Sequence, residues 1–282
     1  MLAIAGGLGA AFSFAAVTLC NSRSARMIGA PHLLAWIMLI GLVITLPLAA
    51  FEGIPDGLDG EAFFWMGVAG AGNVVGLLLA YSALRVGKVS VVAPIVSTQG
   101  AIAALIAVLA GETLSPEVAI LLVVIGAGVV LSGRATGAEE PAQRQSARAT
   151  FFALGAAIAI GGSLYATGRV GIELPLQWAL LPSRVLGVAG VSIPLWVASR
   201  PRITRAALPL VLTSGVLEVA GFASFAFGAR HSIAISAVLS SQFAAFAAAS
   251  GFLLFRERLS PAQLAGVAVI GVGVGALAAI QA

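Results

Sequence analysis

Ten apolar stretches, separated by short charged or Pro/Gly-rich breaks, run through this 282-residue chain. They cover residues 2–20, 31–50, 62–84, 88–110, 117–133, 149–168, 176–198, 206–228, 233–255 and 261–280. About 20 apolar residues suffice for a helix to cross the hydrocarbon core of a bilayer. Each stretch therefore predicts one spanning helix. The fifth is short, but Gly- and Ala-rich helices can pack closely inside a bundle. Strands are not expected, because an open sheet leaves unpaired backbone groups in lipid. The expected fold class is an all-α membrane protein with ten transmembrane helices.

The widest polar gap, 134–148, divides the chain into residues 1–133 and 149–282, with five stretches each. The two parts repeat one another. Gly111-Glu112-Thr113-Leu114-Ser115-Pro116 returns 145 residues later as Arg256-Glu257-Arg258-Leu259-Ser260-Pro261. Without a gap, Gly76 meets Gly221, Arg85 meets Arg230 and Gly126 meets Gly271. Leu8-Gly9-Ala10-Ala11 resembles Leu154-Gly155-Ala156-Ala157 more weakly. Five is odd, so the second part enters the membrane from the opposite side. The expected architecture is two inverted five-helix repeats, whose seam near the bilayer midplane is where transporters of this build bind substrate.

Composition agrees with the pattern. The chain is 60% hydrophobic and 9% charged, against about a quarter charged in soluble domains. Its net charge is +4, but the basic residues are scattered over short loops, so no nucleic-acid partner is expected. The loops between stretches 1 and 2, 3 and 4, 5 and 6, 7 and 8, and 9 and 10 carry twelve Lys or Arg residues. The opposite side carries Arg169 and Arg230 with the acidic run Glu52, Asp56, Asp59 and Glu61. Positive loops stay in the cytoplasm, so this count places both termini outside. The first stretch lacks a basic leading segment and reads as a spanning helix. Cys20, the single cysteine, allows no internal disulfide.

The chemistry lies in the few polar groups at membrane depth. Glu218 falls near the middle of stretch 8 and Arg184 within stretch 7. A charge there costs a few kcal/mol on insertion scales, so it must face a cavity or a partner. Glu218 can carry a coupling proton or bind an ammonium, and Arg184 can bind a carboxylate. The bland alternative is an ion pair between the two. Asn73 stands at the repeat position of Glu218, which predicts that the pair faces across the pseudo-axis. Ser97, Thr98 and Gln99 lie within stretch 4 and Ser240, Ser241 and Gln242 within stretch 9, with a Gln at the same depth in each. Pro94 breaks one backbone bond in stretch 4 and frees a carbonyl. Tyr81, Ser82, Ser163, Tyr165 and Trp178 complete the candidates. The expected substrate-binding set is Glu218, Arg184, Asn73, Tyr81, Gln99, Gln242, Ser241 and Trp178. Gly72 and Gly76 form a GxxxG suited to close helix packing. Ser115 and Ser260, each before a proline, read as helix starts.

No Walker loop, zinc-protease motif, Gly-x-Ser-x-Gly elbow or Cys-x-x-Cys occurs. The chain is read as a non-enzyme with no cofactor and no metal, and a monomer suffices.

Ten helices in two halves, the segments Glu112–Pro116 and Glu257–Pro261, and the run Ser236–Gln242 together resemble the EamA-type members of the drug/metabolite transporter superfamily. The resemblance covers essentially the whole chain, and the aromatic amino-acid exporters share the architecture. It implies an exporter or facilitator of amino acids or other small metabolites in the bacterial inner membrane. Family members commonly keep both termini in the cytoplasm, opposite to the charge count here. The substrate expected from the sparse charge is neutral or zwitterionic, moved by alternating access with protons as a coupling ion. The alternatives are an uncoupled facilitator or channel-like pore, and a multidrug exporter of amphipathic cations.

Overall fold

A computed structural model describes residues 1–87, 89–132, 143–198 and 202–246, together with 265–266, 268–269, 272–273, 276–277 and 280. Among the described residues the chain is helical, with no strand. Six helices are long and apolar enough to cross a membrane, and shorter apolar helices lie at Ile95–Leu109, Pro116–Gly128 and Ile233–Phe246.

The helices are α1 (Leu2–Ile28), α2 (Ala30–Glu52), α3 (Gly60–Val86), α4 (Val89–Ser97), α5 (Gln99–Leu109), α6 (Pro116–Ser132), α7 (Gln143–Glu173), α8 (Leu176–Gly187), α9 (Ile193–Ala198), α10 (Leu208–Ala229) and α11 (Ile233–Ser240). The first runs eight residues past the apolar stretch that predicts it. Residues 143–148, expected in the polar linker, begin α7. Residues 134–142 and most of the tenth stretch, with Glu257, Ser260 and Pro261, lie outside the described residues. Ser115 does start a helix, its hydroxyl accepting the Val118 N–H at 3.4 Å.

Two predicted spans are broken. The fourth breaks at Thr98, whose hydroxyl donates to the Ile95 carbonyl at 2.7 Å while its own N–H turns to the same oxygen. The ninth breaks one helix-turn after Ala237 in the same manner. Ser240 and Ser241 donate to the Ala237 and Val238 carbonyls, and the Gln242 amide donates to Val238. Side chains that bond back to the preceding turn compete with the regular helix ladder. The seventh predicted span carries a π-helical turn, Val188–Ser192, between α8 and α9. Pro194, which has no N–H and whose ring in a regular α-helix would strike the carbonyl four residues back, follows just after it. Widening the turn relieves that clash.

The packing partners come in matched sets. Helix α1 lies along α10 as α3 lies along α7, α1 touches α11 as α7 touches α5, and α3 touches α8 as α10 touches α2. Helix α2 packs on α8, and α5 on α11. The α3–α7 crossing shows why small residues are needed. A Cβ at Gly72 would lie 2.9 Å from the Ala159 carbonyl, and one at Gly76 would lie 2.3 Å from the Ile160 side chain. One buried apolar core spans these helices, and a smaller cluster around Ala62, Met66, Val170, Leu174 and Ala179 seals one end. Lipid-scale apolar side chains such as Phe51, Val43, Phe63, Ile120 and Phe151 cover the outside.

Candidate functional site

Helices α2, α8 and α10 bring the two intramembrane charges together. The Arg184 Nη1 group donates to Glu218 Oε1 at 3.0 Å, and the side chains are 0% and 1% exposed. Tyr81, from α3, donates its hydroxyl to the other carboxylate oxygen at 3.2 Å. The same Arg184 nitrogen lies 3.8 Å from the Met38 sulfur, and its guanidinium sits 5.6 Å from the Phe222 ring centre. Space for Arg184 exists because residue 41 has no side chain. A Cβ there would lie 2.7 Å from the arginine Cδ and 2.8 Å from Nε. The pair is therefore neutral as a unit, and both oxygens of the carboxylate are occupied. A buried ion pair of this kind is costly to desolvate but costlier still to break from one side.

Beside it lies a cavity of about 70 Å³. Its wall comes from α1, α3, α4, α5, α7 and α10, with Phe243. Such a volume holds a few waters. Among the described lining residues Glu218 is the sole carboxylate, and no Lys, Arg or His is present. Arg184 is not in the wall. Glu218, Tyr81 and Gln99 are, together with Asn21 and Thr18. Most of the remaining wall is apolar, led by Phe14, Phe222 and Phe243. The Thr18 hydroxyl is spent on the Phe14 carbonyl. Asn21 is fully buried and neither of its amide atoms has a hydrogen-bond partner among the described residues. The carbonyl oxygen of Gln99 is unpaired as well.

The other sequence candidates fall elsewhere. Asn73 is buried with both amide atoms unpaired, so it makes no hydrogen bond to Glu218, and it lies outside the cavity wall. Gln242 and Ser241 are buried at the ninth-span break, also outside that wall. Ser241 instead borders a largely apolar space of about 540 Å³ between α5, α6 and α11. Trp178 is near one end of the bundle, where its indole donates to the Gly53 carbonyl at 3.0 Å. That bond fixes the loop after α2, and the ring packs on the small apolar cluster. Ser163 ties α7 to α3 through the Ala69 carbonyl at 2.6 Å, Ser82 bonds back to Leu78, and Tyr165 meets Trp65 edge-on at 5.4 Å. The residues that sequence reasoning missed are Asn21, Met38, Gly41 and Phe222.

A second recess, about 300 Å³, opens at the end of the bundle where α1 begins, and includes Glu112, Arg169, Arg230, His231 and Ser232. Its charges are engaged. Glu112 accepts from the Ser232 hydroxyl and from the Ala234 N–H, closing the start of α11. Arg169 pairs with Glu61 and Glu173 at 3.2 Å each. Arg230 donates to the Gly171 and Leu174 carbonyls at the end of α7. Carboxylates suit helix starts and cations suit helix ends, so these contacts are explained by helix termination. Glu112, just after α5, thus closes the start of α11.

Comparison with known proteins adds three findings. No curated protein matches this sequence. A solved structure described only as "Crystal structure of protein" superposes with a TM-score of 0.76 at 18% identity, covering 99% of this chain and 98% of that one. That likeness shows a shared fold along nearly the whole length. Residues 1–134, just under half of the chain, match the model of the EamA-like transporter family.

Proposed function

We propose that the chain is a secondary transporter of small neutral or zwitterionic metabolites, with amino acids the first class to test. It works by alternating access around a midplane cavity between two inverted five-helix halves. The observation that carries this reading is the Tyr81–Glu218–Arg184 chain of contacts at the cavity wall, which joins a helix of the first half to two of the second. The matched packing of α1 on α10 and α3 on α7 supports the inversion, since a two-fold axis would exchange those pairs. The small cavity volume supports a cycle in which the walls part to admit substrate. Glu218 is the candidate proton carrier, Arg184 its counter-ion and Tyr81 the group that orients it. A bacterial inner-membrane location is part of this reading.

A second reading, export of amphipathic cations, is favoured by one observation. Glu218 lines the cavity and Arg184 does not, so a ligand cation that entered would compete with Arg184 for that carboxylate.

Flux into proteoliposomes tests both. The expected result is saturable uptake of a labelled amino acid or amphipathic amine above empty liposomes, accelerated by a pH gradient. Glu218→Gln is expected to abolish the gradient's effect. Uptake by Glu218→Gln that still follows the gradient removes the coupling role, and no flux of either class removes the transporter reading.

A further inference from the structure

Among the polar groups in the cavity wall, most are already used. Glu218 is held by Arg184 and Tyr81, and Thr18 by its own helix. What remains free is the Asn21 amide, donor and acceptor both, and the Gln99 carbonyl oxygen. Asn21 is 0% exposed and Gln99 4%. Both groups face the cavity, where the few waters it can hold would be their partners until a ligand displaced them. The Asn21 amide lies close enough to the Tyr81 hydroxyl to interact with it, but no contact of full hydrogen-bond geometry joins the two, so that weak contact is one a ligand can replace. Whichever way its amide is turned, it presents a donor beside an acceptor. Such an edge is matched by a ligand that carries an acceptor beside a donor, as in two-point recognition of a base by Asn. Phe14 and Phe222, edge to face at 5.1 Å, and Phe243 offer ring surface for the rest of the ligand. The Arg184–Glu218 pair is neutral and no cation is in the wall, so a charged ligand would meet no uncompensated opposite charge.

We infer that Asn21 and Gln99 form the ligand-reading edge of this cavity, for a neutral molecule with an apolar body and an adjacent N–H and C=O, a primary carboxamide or a lactam. The inference rests on the transporter reading, in which the walls part to admit a ligand larger than the few waters that the closed cavity of about 70 Å³ holds, but not on any mode of coupling. Recognition is by two reciprocal hydrogen bonds to Asn21, with Gln99 accepting the second N–H of a carboxamide. A lactam has no second N–H, so the two sources differ in their dependence on Gln99.

The test uses the full chain in detergent with labelled benzamide and 2-pyridone as probes. Benzylamine, benzoate and N,N-dimethylbenzamide supply the cationic, anionic and donor-free counterparts. Saturable binding of benzamide or 2-pyridone is expected, with each counterpart roughly tenfold weaker or more, the discrimination a two-point contact provides. Asn21→Leu is expected to lose that affinity by a similar factor while its unfolding temperature does not fall. Asn21→Ser, a smaller change that cannot form the two-point contact, is expected to behave likewise. Gln99→Leu should weaken benzamide more than 2-pyridone. The inference is overturned if neither probe binds, if benzylamine or benzoate binds as well, or if both Asn21 variants bind like wild type. Binding without flux in liposomes would leave this site standing and remove the transporter reading. Flux of amino acids unaffected by Asn21→Ser, with no benzamide binding, would do the reverse.

Discussion

Arg184 and Glu218 meet at 3.0 Å with neither side chain open to solvent. Removing one partner strands the other charge in a medium that cannot solvate it. Arg184→Met and Glu218→Leu are each expected to cost about 3–5 kcal/mol. The double variant should recover most of that loss. Thermal unfolding of the purified variants checks it, and a double variant whose loss equals the sum of the two single losses would show that the two charges are not coupled.

Tyr81 touches the same carboxylate through one hydroxyl. Tyr81→Phe keeps the ring and removes the donor. Hydrogen bonds to charged groups contribute about 1.5–3 kcal/mol, so a drop of that order is expected in unfolding experiments. Glu218→Gln/Tyr81→Phe should show non-additive loss, because the phenol's partner has already lost its charge.

Gly41 leaves the volume that Arg184 fills. Gly41→Ala is expected to destabilise the protein, since the displaced guanidinium has no second place to go. Gly67, in α3, has nothing within 4 Å of a Cβ. Gly67→Ala should be neutral or stabilising by about 0.5–1 kcal/mol, the usual gain on replacing a helical glycine. Melting curves of the two alanine variants should therefore move in opposite directions.

Asn73 is buried with no hydrogen-bond partner among the described residues. Asn73→Leu should raise stability by about 1–3 kcal/mol and leave flux unchanged, because the residue lies outside the cavity wall. Loss of flux in a stable Asn73→Leu protein would place Asn73 in the transport path.

The charges at 184 and 218 were legible because ionised groups are conspicuous inside apolar stretches. Their pairing stood as the bland alternative and is what the structure shows. The breaks at Thr98 and Ser241 were half legible. Pro94 and the Ser/Thr-Gln clusters flagged both places, but only the side-chain bonds to preceding carbonyls show where each helix turns. Asn21 was hidden by its neighbours. It stands one residue beyond the apolar stretch that ends at 20, close to Arg23 and Arg26, where a loop is the natural reading. The helix instead continues to Ile28 and carries Asn21 into the wall. Met38, Gly41 and Phe222 were illegible for a different reason. Met, Gly and Phe are ordinary in such segments, and only the position of the Arg184 side chain gives them a role.

The π-helical turn at Val188–Ser192 has a geometric consequence for how α8 and α9 address α2. Arg184 reaches Met38 and the space at Gly41, while Trp196, twelve residues later, meets Trp36 edge-on at 5.6 Å. Along an unbroken α-helix, side chains twelve residues apart point about 120° apart. A π turn absorbs one residue, which reduces that angle to about 20° at the helix's ordinary advance of about 100° per residue. The turn thus acts as a phase shifter: it sets two side chains that would diverge onto nearly one line of their own helix, the guanidinium reaching Met38 and Gly41 and the indole reaching Trp36.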